Sequence, residues 1–333
     1  MSAPVTKQTY EESLQRVLAV IEPDGPKVLI PYDGSDVAET AIDDLKRAGL
    51  PRKFDALIAV TDVWLPSSPY EITRAVSARR LKLLMSGLSS FAPAMRDCEE
   101  QRVLSREAND RLRSLFPSAN VTTKAMQDST SVMSDVVQKA KSYGAELIVL
   151  GAQVSPSPDI TDYAGPALRV GRAAHCSVRI SRPSQKNVHS PIHIVIGVDD
   201  TQSTERLIEA VSGRVWPVGT KVDVVVIGKP GPRDPLREAE RMRTLEEQVS
   251  NLRAGGSNVS IALKYGEPQE LLLEHAKDVS ADCIFIAADI MAHGQETGRE
   301  LSNVAQSVVL GARCSVEIVR PRTVTREHWK PAA

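Results

Sequence analysis

Apolar positions in this chain gather into short, nearly continuous runs separated by longer stretches of mixed character, and the series of runs occurs twice. Residues 27–36 read KVLIPYDGSD and residues 193–204 read HIVIGVDDTQST. Each is an apolar run ending on an aspartate, Asp33 or Asp199, followed by small polar residues and an amphipathic stretch. The far ends of the copies match more closely. AELIVLG at 145–151 parallels ADCIFIA at 281–287, and AHCSVRI at 174–180 parallels ARCSVEI at 312–318.

Strand and helix signals alternate between these anchors. In the first copy, residues 56–63 (ALIAVTDV) predict a buried strand and 121–126 a shorter one. Residues 131–143 place Val132, Val136, Val137 and Ala140 at helical spacing. In the second copy, 222–227 and 259–263 predict strands and 237–252 a charged amphipathic helix. Residues 267–279 predict a helix with Leu271, Leu272 and Ala276 inward. Apolar runs without polar alternation suit parallel strands covered on both faces, joined by right-handed crossovers. The expected fold class is α/β, two doubly wound parallel-sheet domains. Such sheets take ligands outside the carboxyl ends of strands, where the winding reverses. Functional residues are therefore expected just after Ile30, Leu150, Ile196 and Ile286.

The repeat divides the chain into a first domain at 27–183, a linker at 184–190 and a second domain at 191–321. An N-terminal helical extension covers 1–26 and a tail covers 322–333. In the extension, residues 8–21 bring Leu14, Val17, Leu18 and Ile21 to one side of a helix, a face for docking on the first domain or on a partner. The first copy also holds an additional segment, 67–95, with Leu81, Leu83, Leu84, Met85 and Leu88 in helical array.

A length of 333 residues accommodates two ordinary cores. The formal net charge of −1 provides no global field for nucleic acid or an anionic membrane. No apolar run approaches the roughly 20 residues of a membrane-spanning helix, and the first residues lack the pattern of a secretory signal. Cys98, Cys176, Cys283 and Cys314 form no C-x-x-C pair and lie at no zinc spacing to a histidine. They are expected to be reduced thiols of a cytoplasmic protein. Cys176 and Cys314 share one repeat position, which favours packing over chemistry. The P-loop, dinucleotide and nucleophile-elbow motifs are absent. Sequence spacing identifies no carboxylate orienter for His175, and His189 and His193 straddle a linker and a strand, so neither a nucleophile pair nor a metal pair is expected.

The motif PYDGSD, together with the closing strand, loop, helix and Cys-Ser-Val stretch of each copy, resembles the universal stress protein family. The resemblance spans 27–183 and 191–321 and is strongest at the two ends of each copy. It implies a five-stranded parallel sheet of order 3-2-1-4-5 in each domain, Rossmann-like and similar to the adenine nucleotide α hydrolase folds. It also implies pairing of the domains through their last strands, 177–180 and 315–319, as an internal pseudo-dimer. Protein partners are then expected, and a further homodimer is left open.

Nucleotide-binding members of that family carry Gly, two residues, Gly, nine residues, Gly, then Ser or Thr. Glycines let the backbone approach phosphate oxygens with consecutive N–H groups, and the next helix adds its positive dipole end. Here Gly151 holds the first position, but Val154 and Ala164 replace the next two glycines and Gly165 replaces the hydroxyl residue. Pro156, Pro158 and Pro166 donate no N–H, and Asp159 and Asp162 oppose a phosphate. In the second copy Ala287 and Ile290 take the glycine positions, and Ser302-Asn303 stands for Gly-Ser, with Asn303 placed to cap the last helix. The adenine-side positions are kept: Pro31, Asp33 and Val63 in the first copy, Asp199 in the second. Asp33 and Asp199 equally suit a purely local role in the βα turn. Two readings follow. One is a non-catalytic stress-response or regulatory protein with degenerate phosphate loops. The other is an ATP- or AMP-binding sensor, or slow ATP hydrolase, using Pro31, Asp33, Val63, Gly151 and Gly165.

Overall fold

The computed structural model describes residues 25–61, 93–126, 132–152, 165–184, 186, 190–198, 203–228, 235–288 and 301–321. The helix expected at 8–21, residues 67–92 of the additional segment, and the tail lie outside them.

The first half is built from β1 (Lys27–Tyr32), α1 (Asp36–Asp44) with a 3-10 turn (Leu45–Arg47), β2 (Asp55–Val60), α2 (Pro93–Leu115), β3 (Asn120–Ala125), α3 (Val132–Tyr143), β4 (Leu147–Gly151), α4 (Gly165–Ala173) and β5 (Ser177–Ser181). The second half repeats the plan as β6 (His193–Val198), α5 (Ser203–Ser212), β7 (Lys221–Gly228), α6 (Pro235–Gln248), α7 (Ser250–Ala254), β8 (Asn258–Tyr265), α8 (Pro268–Asp278), β9 (Cys283–Ala287), α9 (Asn303–Gly311) and β10 (Ser315–Val319). All strands within a half are parallel, in the order 3-2-1-4-5. The closing strands β5 and β10 pair antiparallel, Val178 facing Ile318, Arg179 facing Glu317 and Ile180 facing Val316. One ten-stranded sheet results, β3-β2-β1-β4-β5-β10-β9-β6-β7-β8. The internal pseudo-dimer through the last strands is thus present, and two edges that would otherwise offer open ladders are closed against each other.

Alternation along the strands sorts the apolar residues to the two faces. On one face a single core runs across both halves, including Leu29, Ile148, Val178 and Ile180 from the first and Val195, Ile284, Val316 and Ile318 from the second. On the other face there are two separate cores, one under α1 and α2 and one under α5 and α6. Between those two cores the seam is polar. Arg179 and Glu317 alternate with the apolar residues of β5 and β10, and both side chains are wholly buried.

Two sequence-based elements are corrected. The long crossover helix α2, with Leu104, Ala108 and Leu112 inward at four-residue spacing, occupies a stretch to which the sequence pattern assigns no element beyond residue 95. The helix expected at 237–252 divides into α6 and α7 around Val249, although Val249 N→Leu245 O and Arg253 N→Val249 O bonds carry the helical pattern through.

Candidate functional site: the crevice at the carboxyl ends of β1 and β4

β1 pairs with β4 only at Val28 and Leu29, whereas it follows β2 to Tyr32. Beyond Leu29 the two central strands part, and this is the point where the winding reverses. Pro31, which brings no N–H to a ladder, falls just past the last residue paired with β4. The second half behaves alike: β6 pairs β9 only from Ile194 to Ile196 and runs on to Val198.

After Tyr32 the chain makes a tight turn into α1. Asp33 Oδ1 accepts from Ser35 N at 3.0 Å, Gly34 adopts a φ of +74°, and Ser35 caps α1 by accepting from Ala38 N at 3.2 Å. Asp33 thus holds the βα turn, the local role its residue type also suits. Tyr32 donates to Glu39, and Arg111 of α2 bridges Glu39 at 2.8 Å and Asp43 at 2.6 Å. Burial, and then the carboxylate of Glu39, push the Tyr32 phenol far above its ordinary value. These bonds clamp α1 and α2 together beside the crevice.

Gly151 closes β4 against the start of α1. A Cβ at this position would lie 1.9 Å from the carbonyl oxygen of Val37, so its missing side chain lets helix and strand approach. Gly165 opens α4, and among the described residues nothing lies within 4 Å of an added Cβ. Pro31, Asp33, Gly151 and Gly165 are all among the described residues. Val63, Asp199, Val154, Ala164 and the loop segments 153–164 and 289–300 lie outside them. At the start of α9 the cap is Ser302, whose side chain accepts from Ala305 N at 3.1 Å. Asn303 is the first helical residue rather than the cap, because the chain turns one residue earlier than its sequence position suggested.

A second polar cluster, which sequence spacing did not disclose, lies at the opposite, amino end of the second half. Asp223 Oδ2 meets His193 Nε2 at 2.9 Å and His275 Nε2 at 3.0 Å, while Ser260 donates to Asp223 Oδ1 at 2.6 Å. A shallow cavity of about 480 Å³ adjoins it, lined by Lys221, Asp223, Ser257 and Asn258 among others. Burial pushes the Asp223 carboxyl up, but hydrogen bonds from Ser260 and His275 and the nearby His193 outweigh it and hold the group below the usual carboxylate range. Its other members lie 30–52 residues from Asp223 in sequence, so no motif announces it. Among the described residues no group of three or more His, Cys, Asp or Glu side chains is arranged to hold a metal ion.

The architecture defines a class: two doubly wound α/β halves fused edge to edge through their closing strands. Residues 192–320 match the model of the universal stress protein family. The second half is a universal stress protein domain, and the first half repeats its fold. A universal stress protein from Archaeoglobus fulgidus superposes with a TM-score of 0.58 at 14% identity, covering 89% of this chain and 96% of that one. A structure from Pseudomonas aeruginosa, described as a candidate universal stress protein, gives 0.54 at 16% identity, covering 90% and 94%. A single-domain universal stress protein from Archaeoglobus fulgidus in complex with dAMP is 22% identical over 39% of this chain and 98% of its own, with a TM-score of 0.28. No curated protein matches the chain significantly. Among the described residues no helix is long and apolar enough to cross a membrane.

Proposed function

We infer that this chain is a non-catalytic regulatory protein of the stress-response type, acting in the cytoplasm through protein partners. Its fused halves serve as a rigid scaffold, and its phosphate loops no longer grip a triphosphate. The domain limits that go with this reading are 27–183 and 191–321. The observation that carries it is that Val154 and Ala164 in the first loop, and Ala287 and Ile290 in the second, stand where flexible glycines are needed, and that three prolines around the first loop donate no N–H. Each charge-assisted hydrogen bond lost from an anion nest removes roughly 1.5–3 kcal/mol. Gly151, the one glycine kept in place, is accounted for by its contact with Val37. Isothermal titration with magnesium and ATP tests the reading. No heat of binding at high micromolar protein is expected, and saturable binding at micromolar ATP overturns it.

A second reading has its own support. Pro31, Asp33 and Gly151 stand at the ends of the two strands that part at the switch point, where an adenine ring with Val63 beside it, or an AMP, would lie. In this reading the first half senses AMP or ATP. A rise in melting temperature with millimolar AMP, lost in Asp33→Ala, distinguishes it from the first.

A further inference from the structure

The seam on the two-core face of the sheet is a row of four buried or nearly buried charges. Asp44, at the end of α1, meets Arg179 with Oδ2 2.7 Å from Nε and Oδ1 3.3 Å from Nη2. Arg179 Nη1 lies 3.3 Å from Glu317 Oε2. Glu317 is held in turn by Arg214, through Nη1 at 3.0 Å and a second contact from Nη2 to Oε1. The signs alternate along the row: minus, plus, minus, plus. Asp44 and Arg179 belong to the first half, Glu317 and Arg214 to the second.

Arg179 and Glu317 occupy the same position of the sequence repeat and face each other in the β5–β10 register. The pseudo-twofold relating the halves therefore passes between them. Arg47 of the first half also reaches Asp282 of the second, Nε to Oδ1 at 3.6 Å, but much of the remaining grip is symmetric. Arg182, just beyond β5, donates to the carbonyls of Cys314, at 3.1 Å, and Val309. Arg320, just beyond β10, donates to those of Gly171, at 2.6 Å, and Arg172, at 3.1 Å. Each arginine thus holds a carbonyl in the last turn of the opposite half's last helix, Val309 for Arg182 and Gly171 for Arg320. The backbone bonds are also reciprocal, Arg182 N to Ser315 Oγ at 3.1 Å and Arg320 N to Ser177 Oγ at 3.2 Å. These symmetric contacts would serve two copies of either half as well as one of each. The central pair is where like charges would meet.

We propose that the buried charges of the seam are a pairing code: the halves of this chain join through their closing strands to each other and not to their own copies. Two first halves paired through β5 would bury the row minus, plus, plus, minus. Two second halves paired through β10 would bury plus, minus, minus, plus. In each a like-charge contact sits at the centre of a seam from which water is excluded, where breaking the charge match costs most. Discrimination by an introduced repulsion, with the attractive contacts left generic, is the economical route to specificity. The partner that fits this surface is the other half of the same chain, or that of a second chain by strand exchange, whatever the crevices bind.

The test uses the folded full-length protein with a specific protease site placed at residues 187–189 of the linker, cut after purification. Cut protein is mixed with isotopically heavy cut protein in mild urea and analysed by native mass spectrometry. Mixed pairs of one first and one second half are expected to exceed like pairs by about a hundredfold, as like-charge juxtaposition across an interface dictates. Like pairs in comparable amount overturn the proposal, and so do fragments that separate without pairing. In the same assay Glu317→Gln removes the central repulsion between two second halves, so pairs of second halves are expected to appear. Retention of mixed pairs alone by that variant assigns the selectivity elsewhere and also overturns it.

Discussion

The carbonyl oxygen of Val37 fills the space that a side chain on Gly151 would need, 1.9 Å from the position of its Cβ. Strand β4 and helix α1 meet there backbone to backbone. Gly151→Ala is expected to force them apart and destabilise the protein by about 1–3 kcal/mol, as overpacking does. Gly165→Ala, with no described residue within 4 Å of its added Cβ, should stay within about 0.5 kcal/mol of wild type. Chemical denaturation of the two variants checks both, and equal effects would remove the packing account of Gly151.

Arg179 is the hinge of the seam energetically as well as geometrically. Arg179→Met leaves Asp44 in a buried site without its partner, while Glu317 keeps Arg214. A loss of about 3–5 kcal/mol is expected, with most of it recovered in the double variant Arg179→Met, Asp44→Asn. A double-mutant cycle by urea denaturation reads this coupling.

The Asp223 carboxyl is held below its ordinary value by the bonds from Ser260, His275 and His193. A group whose folded pKa is depressed stabilises the fold fully above its unfolded value of about 3.9 and loses that contribution as pH falls through the folded value. Asp223→Asn is therefore expected to be less stable at neutral pH and to show a shallower loss of stability below about pH 4. Denaturation midpoints at several pH values measure the slope.

Burial pushes the Cys176 thiol up to about 12 and that of Cys314 to about 11, and raises that of Cys283 further. The thiolate is the reactive form. These three cysteines are expected to resist a thiol reagent at pH 8 in the folded protein and to react only after denaturation, counted by mass spectrometry.

Ser302→Ala removes the hydrogen bond to Ala305 N that starts α9 and is expected to cost about 1 kcal/mol. Asn303→Ala should cost far less, and melting temperatures of the pair separate cap from first helical residue.

Much of this molecule is written locally. The apolar runs at 27–32, 147–150, 193–198 and 283–286 could only be covered strands, because no polar alternation offers a wet face. Their recurrence made two matching halves, and the Asp33 turn follows from residue type within four positions. Pairing of the closing strands came from family resemblance, not from the runs themselves. The helix α2 was obscured because its inward stripe is thin, three small or medium apolar residues among many charges. The meeting of Arg179 with Glu317 and Asp44, of His193 with His275 on Asp223, and of Gly151 with Val37 was settled only by tertiary structure. Hydrophobic period is a property of neighbours in sequence, whereas a buried charge is stabilised by whatever the sheet register and helix packing bring within about 3 Å, here from residues more than a hundred positions away.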